Sequence, residues 1–224
     1  MPSLSYAICV CNESRELYSL VSFLLKVKDP EDEINILIDS LHVTPQVQSV
    51  LTHFKDSIVQ NERDFDGKFA THRNYHISKC SGDYIFIIDP DEMPSEVLIT
   101  NLKAKLIENT SVDLVYLPRI NICPGFTAEW VKQSGLSINE LGWLNWPDTQ
   151  GRIFKNNSEI RYSAKELHEV IQGAKITAAF PTDPQLALWH IKSIEKQDNR
   201  WDKNGNYVSP PSQSHDSNLY DKLM

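Results

Sequence analysis

Through the first half of the chain, short apolar runs alternate with stretches in which apolar residues recur at helical spacing. Tyr6-Ala7-Ile8-Cys9-Val10-Cys11, Ile34-Asn35-Ile36-Leu37-Ile38 and Tyr84-Ile85-Phe86-Ile87-Ile88 have strand length and read as buried strands. After the first, Leu17, Leu20, Val21, Leu24 and Leu25 keep the i, i+3, i+4, i+7, i+8 pattern of one helix face. After the second, Val47, Val50, Leu51 and Phe54 mark another helix, with Thr44 as cap and Pro45 at the first position, where no N–H is needed. Ser57-Ile58-Val59 makes a short third strand. The proline-free segment Lys68–Lys79 reads as a helix closed by the glycine of Ser81-Gly82. Pro94 opens a further helix carrying Val97, Leu98, Leu102 and Leu106, and Asp113–Leu117 is the next strand. Strands and helices in this alternation specify an α/β fold, a mostly parallel sheet flanked by helices.

Beyond Arg119 the helical periodicity fades, and tryptophans at 130, 143, 146, 189 and 201 come in among prolines and glycines. Irregular segments mounted on a rigid sheet commonly carry specificity, so this half is expected to wall and complete a site. From Ser209 the chain is polar and proline-containing, and 209–224 is expected to be a flexible tail. The preceding 1–208 is read as one domain, since 224 residues suit one substantial core.

Composition narrows the function more than the fold. A formal charge of −8 argues against a sequence-independent grip on nucleic acid, which needs clustered Lys and Arg to displace counterions. No apolar run approaches the roughly 18–20 residues of a membrane span. The amino terminus lacks the basic-then-apolar layout of a signal peptide, so a cytoplasmic location is expected. Cys9, Cys11, Cys80 and Cys123 show no CxxC spacing and are read as reduced structural residues, with Cys9 and Cys11 on one strand face.

Three strands end in polar groups: Asn12-Glu13, Asp39-Ser40 and Asp89-Pro90-Asp91-Glu92. In an open α/β sheet ligands bind outside the carboxyl ends of the strands, so these ends converge on one pocket. Crowded carboxylates repel unless a positive charge sits among them, and their hard oxygens suit Mg²⁺ or Mn²⁺, which also bind phosphate. The competing explanation is simple turn and cap chemistry ahead of the Pro94 helix.

These strand ends, Arg73-Asn74, the run Gly82–Glu92, the segment Trp146-Pro147-Asp148-Thr149-Gln150-Gly151-Arg152-Ile153-Phe154 and His168-Glu169 together resemble family 2 glycosyltransferases of the GT-A fold. The ordered likeness runs from Tyr6 to His190 and is most similar to the bacterial branch acting on lipopolysaccharide cores and related surface glycans. The resemblance implies a nucleotide-sugar-binding half, 1–118, and an acceptor-side half, 119–208. It implies that Asn12, Glu13 and Asp39 line the base and ribose, that Arg73 lies near the donor, that Asp89 approaches the ribose and can reach the metal, and that Asp91 ligates Mn²⁺ or Mg²⁺ on the diphosphate. Glu92 would support them. Proline between the two acids departs from the usual small residue without removing either carboxylate. A UDP-sugar is the donor implied first; the acceptor could be a glycan, a lipid-linked saccharide or a protein.

Inverting transfer needs a base for the acceptor hydroxyl. Asp148 and Glu169 are the candidates, Asp148 preferred, against the plainer reading of an i, i+4 ion pair between Asp148 and Arg152. By the resemblance His190 is a metal ligand, with the hydrogen-bonded structural histidine as its even alternative, and His168 is a weaker candidate. Trp143 and Trp146 could stack on an acceptor sugar or simply pack. Two other functions compete. A nucleotidyltransferase would carry a glycine-rich basic loop after strand one, where this chain has Cys11-Asn12-Glu13-Ser14-Arg15. A noncatalytic sugar-binding module would have no need of the acids at 89, 91, 148 and 169.

Overall fold

The computed structural model describes residues 2–163 and 169–194. The chain opens with β1 (Leu4–Val10), α1 (Ser14–Val27), β2 (Glu33–Asp39), α2 (Pro45–His53), β3 (Val59–Arg63) and α3 (Phe69–Ile77). β4 (Tyr84–Ile87) and β5 (Glu92–Pro94) then flank the acidic cluster, followed by α4 (Glu96–Glu108), β6 (Leu114–Leu117) and β7 (Arg119–Ile122). The remainder comprises α5 (Ala128–Ser134), β8 (Gln150–Lys155), β9 (Arg161–Tyr162), β10 (Ile171–Gln172), β11 (Thr177–Ala179), a 3-10 turn at Pro184–Leu186, and β12 (Leu188–Ile191).

Seven strands form the central sheet in the order β11-β6-β8-β4-β1-β2-β3. Every pairing is parallel except those of β8, which runs antiparallel to both β4 and β6. The fold is thus the expected α/β arrangement with one reversed strand, and that strand comes from the half in which periodicity fades. Alternate residues of β1 and β4 enter opposite layers, as the two-residue strand period requires. Leu4, Tyr6, Ile8, Val10 and Phe86 pack with Leu17, Leu20, Val21 and Leu24 of α1 and with Leu98 and Leu102 of α4. Ala7, Ile85 and Ile87 face Ala70 and Ile77 of α3, together with Phe154 of β8.

Several local expectations shift. The third strand is Val59–Arg63 rather than residues 57–59, a largely exposed edge. Pro94 ends β5 instead of opening a helix; α4 is capped by Ser95, whose Oγ accepts from the Leu98 N–H at 3.0 Å. Thr44 caps α2 as its sequence predicts. Gly82 does not cap α3, which closes at Ser78; it lets the loop before β4 lie against β1, where a Cβ would stand 2.6 Å from the Ser5 nitrogen. The four cysteines form no disulfide. Burial pushes the Cys9 thiol up to about 12, with its Sγ 3.3 Å from His76 Nδ1, which suits an inert packing residue. Among the described residues no helix is long and apolar enough to cross a membrane. His168, Trp201 and the 209–224 tail lie outside the described residues.

Candidate active site

A second, three-stranded sheet, β5-β12-β7, stands at the carboxyl end of β4. In its register His190 is opposite Glu92 on one side and Asn121 on the other. Arg119 lies two residues before Asn121 on β7, so the period of two puts Arg119, Asn121, His190 and Glu92 on one face. The opposite face is apolar, with Met93 and Ile120 buried. This sheet gathers polar groups widely separated in sequence.

Glu92 is fully buried. Its Oε1 accepts from Arg152 and, at 3.0 Å, from Arg119 Nη1, while its Oε2 accepts from the Asp89 N–H at 3.0 Å. Asp89 is held between two guanidiniums, 3.1 Å from Arg73 Nη2 and 3.2 Å from Arg152 Nη2. Burial alone would raise the Asp89 pKa, but Arg152 and Arg73 outweigh it and keep the carboxyl well below the usual range. Arg73 Nε also donates to Glu169 Oε1 at 2.8 Å, with the guanidinium carbon 5.5 Å from the centre of the Tyr162 ring. The result is an unbroken alternation of charge, Glu169–Arg73–Asp89–Arg152–Glu92–Arg119–Asp148, in which every neighbouring pair is an ion pair.

Asp148 closes the other end of this chain. Its Oδ2 accepts from Arg119 Nε at 2.9 Å, Arg119 Nη2 at 2.5 Å and Asn121 Nδ2 at 2.9 Å, and its Oδ1 accepts from Gln150 Nε2 at 2.7 Å. Burial raises its pKa, while Arg119 and the bonds from Asn121 and Gln150 lower it by more, leaving a net depression. The i, i+4 pair with Arg152 does not form: Arg152 turns to Asp89 and Glu92, and Arg119 takes its place. Asp91 and His190 approach each other, with Oδ2 and Nε2 3.6 Å apart.

The remaining predicted residues stand at the ends of β1 and β2. Glu13 Oε2 accepts from the N–H groups of Cys11 at 3.2 Å and Asn12 at 3.1 Å, folding the carboxylate back on its own turn. Asn12 is buried. Asp39 Oδ1 accepts from Leu41 and Phe65 N–H groups at 3.1 and 3.2 Å, and its Oδ2 pairs with His42 at 2.6 Å. Trp143 and Trp146 meet edge to face at 5.1 Å between centroids, and Trp143 meets Trp189 in the same way at 5.9 Å.

Sequence reasoning missed Arg119 and Asn121, and the Asp148 pair it weighed as the plainer alternative for Arg152 does not form. The available signal was the alternation in Arg119-Ile120-Asn121-Ile122, a half-buried strand that directs both polar side chains to one face.

Among the described residues, no group of three or more His, Cys, Asp and Glu side chains is arranged to hold a metal ion unaided. The pair Asp91–His190 nevertheless offers one carboxylate oxygen and one imidazole nitrogen toward each other, a donor set compatible with Mn²⁺ or Mg²⁺ when substrate phosphate oxygens and water supply the rest. The buried Arg73 Nη1 and Arg152 Nε have no hydrogen-bond partner among the described residues, leaving cationic N–H groups beside Asp89 for an anion to satisfy.

The sequence matches the family described as Glycosyl transferase family 2 over residues 5–167. No curated protein matches the chain significantly in sequence. In structure it is similar to S. aureus TarS 1–349, at 13% identity and a TM-score of 0.57 over 84% of this chain and 60% of that one. It is also similar to TarS 1–349 in complex with UDP-GlcNAc, at 14% identity and a TM-score of 0.57 over 85% of this chain and 58% of that one. The longer TarS structure gives 14% identity and a TM-score of 0.57 over 86% of this chain, which spans 37% of it. The chain therefore covers about three fifths or less of these proteins, and at such identity the likeness establishes the shared GT-A fold.

Proposed function

Because the chain belongs to glycosyl transferase family 2, we propose that it transfers a sugar from a nucleoside-diphosphate sugar, a UDP-sugar in the first place, to an acceptor hydroxyl with inversion. The observation that carries this reading is the alternating ion-pair chain joining the acidic cluster after β4 to Asp148 and Glu169. It fixes acids for donor and acceptor chemistry in one rigid array, the preorganisation that group transfer needs.

Asn12, Glu13 and Asp39, at the ends of β1 and β2, would receive the base and ribose, with Asp89 at the ribose. Arg73, through its unsatisfied Nη1, would meet phosphate oxygens. Asp91 and His190, with Asp89 as a further candidate, would hold Mn²⁺ or Mg²⁺, and the ion would act as a Lewis acid for the departing diphosphate. Asp148 is assigned as base, with Glu169 as the alternative. Three bonds occupy Asp148 Oδ2 but one reaches Oδ1, so Oδ1 retains acceptor capacity for a hydroxyl. A low pKa is compatible with this role, because the attacking hydroxyl turns strongly acidic as its oxygen bonds to the anomeric carbon. An ionised, weakly basic carboxylate then suffices to take the proton late.

The Trp143–Trp146–Trp189 cluster is a candidate stacking surface for a saccharide-bearing acceptor, whose apolar ring face can pack on indole. That is consistent with the branch acting on lipopolysaccharide cores and surface glycans. Titration of the protein with UDP, with and without Mn²⁺, followed by a screen of nucleotide-sugars for metal-dependent hydrolysis, tests the proposal. Mn²⁺-dependent binding and turnover that Asp91→Asn removes are expected. Binding without turnover of any donor would instead favour a sugar-binding module.

A further inference from the structure

Asn121, which lies outside the motifs that carry the family resemblance, touches both halves of the chemistry. Its Nδ2 donates to Asp148 Oδ2 at 2.9 Å and, more weakly, to the Leu144 carbonyl at 3.3 Å. Its Oδ1 lies 2.7 Å from His190 Nδ1. The amide cannot be turned round: exchanging oxygen and nitrogen would set Oδ1 against a carboxylate oxygen and a carbonyl oxygen, three acceptors with no proton among them. Nδ2 therefore faces Asp148, Oδ1 faces His190, and His190 Nδ1 must be the donor. In the neutral ring this leaves Nε2 as a bare lone pair, and Nε2 is the atom 3.6 Å from Asp91 Oδ2.

The backbone makes this geometry rigid. Asn121 and His190 are register partners in parallel strands β7 and β12, and the Asn121 carbonyl accepts from the Leu144 N–H at 2.9 Å, pinning the other side of the residue to the segment before Asp148. We propose that Asn121 is a positioning residue that fixes His190 as the Nδ1–H tautomer, presents its Nε2 lone pair to the Asp91 side, and ties that histidine to Asp148. The ring then needs no tautomer change before it can take a cation, the role that an outer hydrogen-bond partner plays for metal-ligating histidines. The part of this proposal that concerns a metal rests on the assignment of Asp91 and His190 as ligands; the part that concerns the tautomer stands without it.

The test uses ¹⁵N-labelled protein without metal at about pH 8.5, with His190 identified by the loss of its signals in His190→Gln. The expected result is a protonated Nδ1 and a bare Nε2, moving to the Nε2–H form in Asn121→Leu. An Nε2–H ring in the unaltered protein, or a tautomer indifferent to Asn121→Leu, overturns the proposal. Thermal melting of each variant reports folding separately. In the presence of UDP, Asn121→Leu should also weaken Mn²⁺ binding roughly 10-fold or more, read by the resonance of free Mn²⁺, with UDP affinity in the absence of metal unchanged. Equal Mn²⁺ affinity in the two proteins would overturn the cation-presenting role. Absence of Mn²⁺ binding in the unaltered protein would count against both that role and the metal reading of the site, while the ring tautomer would still decide what Asn121 does.

Discussion

Arg119 bridges Glu92 and Asp148 with one guanidinium, its Nη1 3.0 Å from Glu92 Oε1 and its Nη2 2.5 Å from Asp148 Oδ2. Glu92 is fully buried and also holds Arg152, so a single carboxylate orients the arginine that steadies Asp148 and the arginine that steadies Asp89. The two sides of the site thus share one electrostatic keystone, placed by the three-stranded sheet.

Glu92→Gln should therefore be among the costliest single changes in the protein. The amide is close in size, yet it leaves two buried guanidiniums short of a counter-charge. Removing one partner of a buried ion pair costs roughly 3–5 kcal/mol. For a chain of this size that lowers Tm by about 10 °C, as each kcal/mol is worth about 2–4 °C. Thermal unfolding followed by circular dichroism checks this, and a melting curve that superposes on that of the unaltered protein would show that Arg119 and Arg152 do not depend on Glu92.

A second prediction concerns acid stability. Burial of His76, which α3 directs against β1 and β2, lowers its pKa to about 3, partly opposed by its hydrogen bond to Asn35 and assisted by Arg73. The folded ring stays neutral while the unfolded one protonates near its ordinary value of about 6.5. Between those values the unfolded state binds more protons, so stability falls with falling pH by about 1.4 kcal/mol per unit. In urea unfolding His76 should account for about 2 kcal/mol of the stability lost between pH 7 and pH 5, taking the titration to begin near pH 6.5, beside a similar share from His72, whose pKa burial lowers to about 4. His76→Gln should remove the His76 share of that dependence, whatever it does to stability at pH 7. A slope that His76→Gln leaves unchanged would assign the whole effect to other groups, His72 first.

Gly173 leads to a third. Its φ is +90°, and a Cβ there would stand 1.8 Å from the Glu159 carbonyl oxygen, so alanine meets both backbone strain and a collision. The residue follows β10, whose pairing with β9 lies next to Glu169, the partner of Arg73. Gly173→Ala is expected to cost roughly 1–3 kcal/mol and to loosen the Glu169–Arg73 pair, so that nucleotide binding weakens. Urea unfolding and a UDP titration measure the two effects. A variant normal in both would show that the β9–β10 corner bends without consequence for Arg73.

Much of the first half of the fold was legible because β1, β2, β4, α1 and α2 each carry a complete local pattern. Thr44 and Pro45 announce α2, and Leu17 to Leu24 mark the face of α1 that becomes buried. The acidic cluster was legible for the same reason, as a polar break after an apolar run. The small sheet was not. β5 and β12 are three and four residues long, too short for a period, and each is defined only by pairing with a strand distant in sequence. Pro94 resembled a helix start because proline favours that position, but a three-stranded sheet accommodates it at a strand end. Arg152 four residues after Asp148 suggested a local pair on helical reasoning. Arg152 belongs to β8, where successive side chains alternate, and Asp148 lies before that strand.

The assignment of the base can be decided by comparing the two acids that end the ion-pair chain. Asp148 is ionised at neutral pH because its bonds to Arg119, Asn121 and Gln150 outweigh burial; the depressed folded pKa also means that its stabilising contribution is present above the ordinary carboxylate value of about 3.9 and is lost as pH falls through the folded one. Asp148→Asn keeps the shape but cannot accept the acceptor proton. It should lower kcat roughly 10²- to 10⁴-fold with the affinity for UDP nearly unchanged. Glu169→Gln should act differently, because Glu169 holds Arg73, and Arg73 holds Asp89, the proposed donor contact. Its expected effect is a raised KM for the nucleotide-sugar with kcat reduced much less. Steady-state kinetics at saturating acceptor separates the two patterns. If Glu169→Gln abolishes turnover while Asp148→Asn retains it, the base is Glu169, and the Arg119–Asp148 pair serves to brace the acceptor wall.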